Sequence, residues 1–131
     1  MRLLIISHTP HYQGDDAVVG WGPTIREIDQ LATLFDEVVH LAPLYQENGP
    51  KSALPYTAEN VFYSSVKPAG GDRFLDKLQI MQRIPNWLAA MKKEIQQADC
   101  IHIRCPAGIS LVALLAARWW AKGKPTWVKY A

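Results

Sequence analysis

Two short stretches hold the side chains best suited to chemistry. One is Ser7-His8-Thr9-Pro10-His11-Tyr12, followed by Asp15 and Asp16; the other is His102-Ile103-Arg104-Cys105, just ahead of Pro106. An imidazole titrates near neutrality, so His8 suits general acid/base work, with Asp15 as the second candidate. Arg104 presents a planar fork of donors that matches a phosphate or an acceptor carboxylate. His8, His11 and the two aspartates could also be drawn as a metal site. Pro10 breaks the helical geometry that brings such histidine pairs together, and neither cysteine adds a credible ligand spacing, so no metal is expected. His40 and His102 fall inside apolar runs and read as hydrogen-bonded core or interface residues.

Position gives these residues their interest. Short branched apolar runs at residues 2–7, 37–41, 61–66, 99–104 and 126–131 read as β-strands. Helical spacing of Ile25, Ile28, Leu31, Ala32 and Phe35 predicts a helix starting near Gly22, with Pro23 in its first turn. A second helical region at 74–98 is interrupted by Pro85, giving two helices or one kinked helix. A third, at 107–121, carries Leu111, Leu114, Leu115 and Arg118 in register and closes at Gly123 as a left-handed cap. Residues 9–21 and 43–60 show no regular pattern and read as long loops, with a shorter turn at 67–72. Alternating strands and helices predict one doubly wound, Rossmann-like α/β domain over residues 1–131. Its three layers would enclose a parallel sheet in the order 3-2-1-4-5. The chain reverses between strands 1 and 4, so residues 7–10 and 104–108 should flank one crevice, where such folds place ligands. His8, Thr9, Tyr12, Gly22, Arg104 and Cys105 are the expected lining.

Bulk properties narrow the classes. The 131 residues suit one core, and 14 basic against 12 acidic residues give a net charge of +2. That asymmetry is too weak to imply nucleic acid as a partner. Cys100 and Cys105 are the only cysteines. In one strand their Cα atoms would stand about 16 Å apart, beyond disulfide reach, so both read as reduced thiols of a cytoplasmic protein. The opening apolar run is too short for a secretory signal, and the longest run, 109–117, falls well short of the roughly 20 residues that span a bilayer. Trp119 and Trp120 beside Arg118, Lys122 and Lys124 leave peripheral membrane contact open. Gly20-Trp21-Gly22-Pro23-Thr24-Ile25 begins like a dinucleotide fingerprint but has Ile25 in place of the third glycine. Its glycines either expose helix N–H groups to an anion or simply let the loop turn into the helix. A phosphorylated receiver domain is disfavoured, because Tyr63-Ser64-Ser65-Val66 offers no aspartate at the end of the third strand.

Three segments together resemble the amino-terminal domain of retaining GT-B glycosyltransferases of the family 4 type. MRLLIISHTP resembles the family's first strand; GWGPTIREIDQLATLFDEVVHLAP its glycine turn, first helix and second strand; and ADCIHIRCPAGISLVALLAARWWAKGKPTWVKYA its fourth strand, third helix and fifth strand. The resemblance implies a domain that holds the acceptor, a sugar or a lipid-linked sugar, and a separate carboxy-terminal domain that holds the nucleotide sugar. Transfer to an acceptor hydroxyl would need no metal or other cofactor. The glycine turn falls on Gly22, with Pro23 where a second glycine is usual. Arg104 stands where the family often has a histidine, and Ala131 aligns with another histidine. On this reading the chain stops at or within its fifth strand, lacks the donor domain and is inactive alone. The open edge of that strand, with Trp127 and Tyr130, would seek a second copy. The alternative is a noncatalytic α/β domain that binds a small anion or nucleotide in the same crevice.

Overall fold

The computed structural model describes residues 1–69 and 74–130, with no side chains for Phe74 and Leu75. The end of the expected turn at 67–72 and the alignment at Ala131 lie outside the described residues. The order of elements is β1 (Arg2–Ile6), β2 (His11–Gln13), β3 (Val18–Trp21), α1 (Gly22–Leu31), a 3-10 turn (Ala32–Leu34), β4 (Glu37–Asn48), β5 (Ala53–Pro55), β6 (Val61–Val66), α2 (Phe74–Gln97), β7 (Cys100–Cys105), α3 (Gly108–Trp120) and β8 (Thr126–Tyr130).

Alternation along the central strands explains the layering. Leu4 and Ile6 of β1, Val39 and Leu41 of β4, and Ile101, Ile103 and Cys105 of β7 point to one face. There they pack on Trp87, Met91 and Ile95 of α2 and Val112, Ala113 and Ala116 of α3. Leu3, Ile5, Val38 and Cys100 point the other way, onto Ile28 of α1 and Ala32. Strands buried on both faces need apolar residues at successive positions, which is why β1 and β7 read as nearly continuous apolar runs. Cys100 and Cys105 are buried free thiols. Gly123 takes φ of 79°, closing the turn after α3.

The sheet departs from expectation in composition and order. It has eight strands and is mixed. Parallel pairing runs β6-β4-β1-β7-β8, but β4 continues to Asn48, and its far half pairs with β2. Antiparallel β3 and then β5 extend that side, giving β5-β3-β2-β4-β1-β7-β8, with β6 also on β4. An all-parallel order of five has no place for β2, β3 and β5. All three fall in segments expected to be loops. They are three or four residues long, too short to show a period, and the β2–β4 pairing that joins them to the sheet is non-local. The second helical region is also continuous, with Pro85 inside α2. Both Pro85 and Met81, whose carbonyl loses its partner to the proline, face solvent, so water can satisfy the oxygen.

Two features bear on surfaces. All five residues of β8 are exposed, and it pairs with β7 alone. Trp119 is exposed, whereas Trp120 packs partly against the core with Lys92 over its ring. No helix among the described residues is long and apolar enough to cross a membrane.

Candidate functional site

A cleft of about 490 Å³ opens where β1 and β7 end, at the N-terminus of α3. His8, exposed to solvent, stands on its wall as the one imidazole among the described lining residues. Pro43 and Tyr45 enter from β4, Ile80 and Trp87 from α2, and Gly108 and Ile109 from α3. The Trp87 indole N–H donates to the Lys67 carbonyl at 2.8 Å, so its ring edge is fixed. Ala107 caps α3 with no side-chain hydrogen bond, leaving the first N–H groups of the helix without a side-chain acceptor. The cleft therefore combines apolar and aromatic walls with one imidazole and one helix N-terminus, a lining suited to a small, partly apolar ligand.

Of the six residues expected to line the crevice, His8 lies in this cleft. Cys105 lies in a neighbouring cavity of about 370 Å³ with Pro106, Leu111, Leu114 and Tyr130. Tyr12 is not among the residues lining the cleft, and its ring lies 5.9 Å from that of Tyr45. Asp15 sits exposed between β2 and β3. Arg104 is buried in an ion cluster: its guanidinium donates to Glu27 at 3.1 Å, and Lys129 donates to the same carboxylate at 2.7 Å. Burial works to raise the Glu27 pKa, but the Lys129 hydrogen bond and the Arg104 charge outweigh it and hold the carboxyl below its ordinary value. Arg104 thus ties β7 to α1 through one nitrogen of its fork, paired with the Glu27 carboxylate.

Thr9 belongs to a buried hydrogen-bond ring that sequence reading did not assemble. The His11 Nδ1 lies 2.8 Å from the Thr9 carbonyl, which only accepts, so Nδ1 carries the proton. Nε2 of a neutral His11 must then accept from the Tyr56 hydroxyl at 2.6 Å. The Tyr56 oxygen accepts in turn from the His40 Nδ1–H at 2.5 Å. His40 Nε2 accepts from the Ser7 hydroxyl at 2.7 Å, and the Ser7 oxygen accepts from the Thr9 N–H at 3.2 Å. The circuit begins and ends on Thr9 with every donor matched, and it closes only if both imidazoles are neutral. Burial favours that state, lowering the His11 pKa to about 4 against a small opposing effect of the Thr9 carbonyl, and holding His40 well below the ordinary value. Burial also raises the Tyr56 hydroxyl. His11 stacks on Tyr63 with ring centres 4.2 Å apart. Groups so matched and enclosed fix the junction of β1, β2, β4 and the segment after β5; they are poorly placed to exchange protons with a ligand.

Gly20 of β3 and Gly22, the first residue of α1, have packing roles. A Cβ on Gly20 would come within 2.7 Å of Ile25 Cδ1 and 3.0 Å of the His11 ring, and one on Gly22 would lie 3.0 Å from the Ser52 carbonyl oxygen. They let β3 and β5 close over α1 and His11, a packing role that neither reading of this turn anticipated. Gly20→Ala is expected to cost about 1–3 kcal/mol by overpacking, seen as a lower urea midpoint. An unchanged midpoint would show that Ile25 and His11 can move aside.

On the far side of β7, His102 stacks on Trp127 with ring centres 5.0 Å apart. Its Nδ1 is buried without a partner among the described residues. Burial, and then the Arg104 charge, lower its pKa to about 4. Among the described residues no group of three histidine, cysteine or acidic side chains is placed to hold a metal ion.

Tyr45, Ile80 and Trp87 were not anticipated as cleft residues. The first lies in a segment read as a loop and the others in a helical region read only for its interruption at Pro85. Their only sequence signal is large apolar or aromatic character near a predicted strand end. No family model matches the chain, and the search of curated proteins finds no match. Among solved structures the chain is similar to the C-terminal domain, residues 78–226, of a hydrogenase from Pyrococcus furiosus. The identity is 14%, the alignment covers 98% of this chain and 90% of that one, and the TM-score is 0.55. A second structure of that domain, residues 83–215, aligns at 12% identity with the same coverage and a TM-score of 0.48. What the chain shares with the first of these is an α/β fold.

Proposed function

We propose that this chain is the acceptor-binding half of a retaining GT-B glycosyltransferase, a doubly wound, Rossmann-like core whose partner domain supplies the nucleotide sugar. The observation that carries the reading is the cleft at the ends of β1 and β7, walled by Tyr45 and Trp87 and carrying His8. Aromatic faces suit the C–H faces of a sugar ring, and an imidazole at the rim suits an acceptor hydroxyl. The resemblance of the three segments adds the expectation of transfer without a metal. The exposed edge of β8 is where a second copy or a further domain would pair.

The test is amide NMR of the domain titrated with simple methyl glycosides and, separately, with nucleotide sugars. Glycosides are expected to shift His8, Tyr45, Gly108 and Ile109, while nucleotide sugars leave these four unmoved, because their site belongs to the other domain. Shifts at these residues with nucleotides and none with glycosides would overturn the proposal in favour of a noncatalytic nucleotide-binding domain. That second reading draws on the uncapped N-terminus of α3, which faces the same cleft.

A further inference from the structure

Three described arginines have buried or half-buried side chains: Arg2, Arg83 and Arg104. Arg2 meets Glu37 at 3.5 Å and Glu94 at 3.2 Å, and Arg104 meets Glu27. Among the described residues Arg83 has no carboxylate, and its buried Nε has no hydrogen-bond partner. A buried guanidinium N–H left unmatched is costly, and native proteins rarely leave one so.

Arg83 lines a cavity of about 480 Å³ between the end of β6, the far half of β4 and α2. Lys67 lines the same cavity, also without a carboxylate, as do Ser65, Gln46 and Asn86. The Asn86 Oδ1 accepts the Lys67 backbone N–H at 3.2 Å. That bond fixes the amide, leaving its NH₂ as a donor. The lining thus offers two cations, two amides and a hydroxyl, and no acidic side chain among the described residues. This is an inventory of donors that lacks its acceptor.

We propose that this cavity binds a phosphoryl group, with Arg83 and Lys67 holding its charge and Asn86 and Ser65 completing its oxygens. Two cations match a dianion, and a guanidinium beside an ammonium and neutral donors suits three or four oxygens on one centre better than the two of a carboxylate. The site is separate from the cleft holding His8 and does not depend on sugar transfer.

The experiment follows the Arg83 Nε–H, the Asn86 side-chain NH₂ and the Lys67 amide in nitrogen-correlated NMR spectra at pH 8 and low salt, with inorganic phosphate added. Saturable shifts at all three are expected. Arg83→Gln should weaken binding by about tenfold or more, and Lys67→Ala should weaken it as well, while Arg26→Gln, on the exposed face of α1, leaves it unchanged. Lys67 is exposed, so its variant carries the test should Arg83→Gln fail to fold. Absence of saturable shifts, unaltered affinity in Lys67→Ala, or equal binding of acetate would overturn the proposal. Methyl phosphate and phosphatidic-acid vesicles then separate the sources. Tighter binding of the soluble monoester identifies a small phosphorylated ligand, and Lys67-dependent binding to vesicles alone identifies a lipid headgroup; either outcome upholds the phosphoryl site.

Discussion

Tyr56→Phe is expected to destabilise the protein by about 2–4 kcal/mol, because one hydroxyl closes two of the bonds in the buried ring. Its loss leaves the His40 Nδ1–H without an acceptor and His11 Nε2 without a donor, both on fully buried rings. A fall of roughly 1–2 M in the urea midpoint with an unchanged slope is the expected reading. Tyr63→Phe provides the comparison. That hydroxyl serves only the Ala42 carbonyl, at 2.8 Å, so its removal should cost about 1 kcal/mol. Equal losses in the two variants would show that the Ser7–His40–Tyr56–His11 circuit does not act as a unit.

The second large effect is acid lability. The folded-state pKa values of His11 and His102 are lowered to about 4, and that of His40 is lowered as well, all chiefly by burial. In the unfolded chain an imidazole titrates near its ordinary value of 6.5. Between those limits the unfolded state binds protons that the folded state refuses, so stability falls as pH falls. Each such histidine contributes a slope of about 1.4 kcal/mol per pH unit. The contribution is complete above pH 6.5 and is lost progressively towards pH 4. His11 and His102 together could remove about 4 kcal/mol between pH 6.5 and pH 5, a large part of the roughly 5–15 kcal/mol that holds a domain together. Urea titrations across pH 4.5–8 should show a plateau above pH 7 and a steep decline below pH 6.5, flatter in His102→Gln. A stability independent of pH across that range would mean that these imidazoles reach water and charge without unfolding.

Both expectations rest on residues that were visible in the sequence only as individuals. His40 and His102 read correctly as interior because each interrupts a branched apolar run. His11 was read with His8 as a pair, since the two stand close in the chain. The fold sends them apart: His8 points to solvent at the cleft, while His11 turns inward on β2 and meets Tyr56, distant in sequence. No spacing rule links Ser7, His11, His40 and Tyr56, because their contact depends on β2 pairing with the far half of β4. Arg104 shows the same limit. Its place at the end of β7 was legible, but Glu27 and Lys129, which engage it, come from α1 and β8.

Local patterning by itself determined the central strands, the start of α1 at Gly22 and the cap of α3 at Gly123, since period, proline and glycine act within one turn or strand. It also determined the α/β class, because runs apolar at every position need cover on both faces. Tertiary structure alone decided that the sheet is mixed, that α2 runs unbroken through Pro85 and that Gly20 and Gly22 serve packing. It also gathered Tyr45, Trp87 and His8 around one cleft and Lys67 and Arg83 around another. Those outcomes turn on which donors, charges and surfaces meet across distant segments, and close contact between such segments is a property of the assembled core.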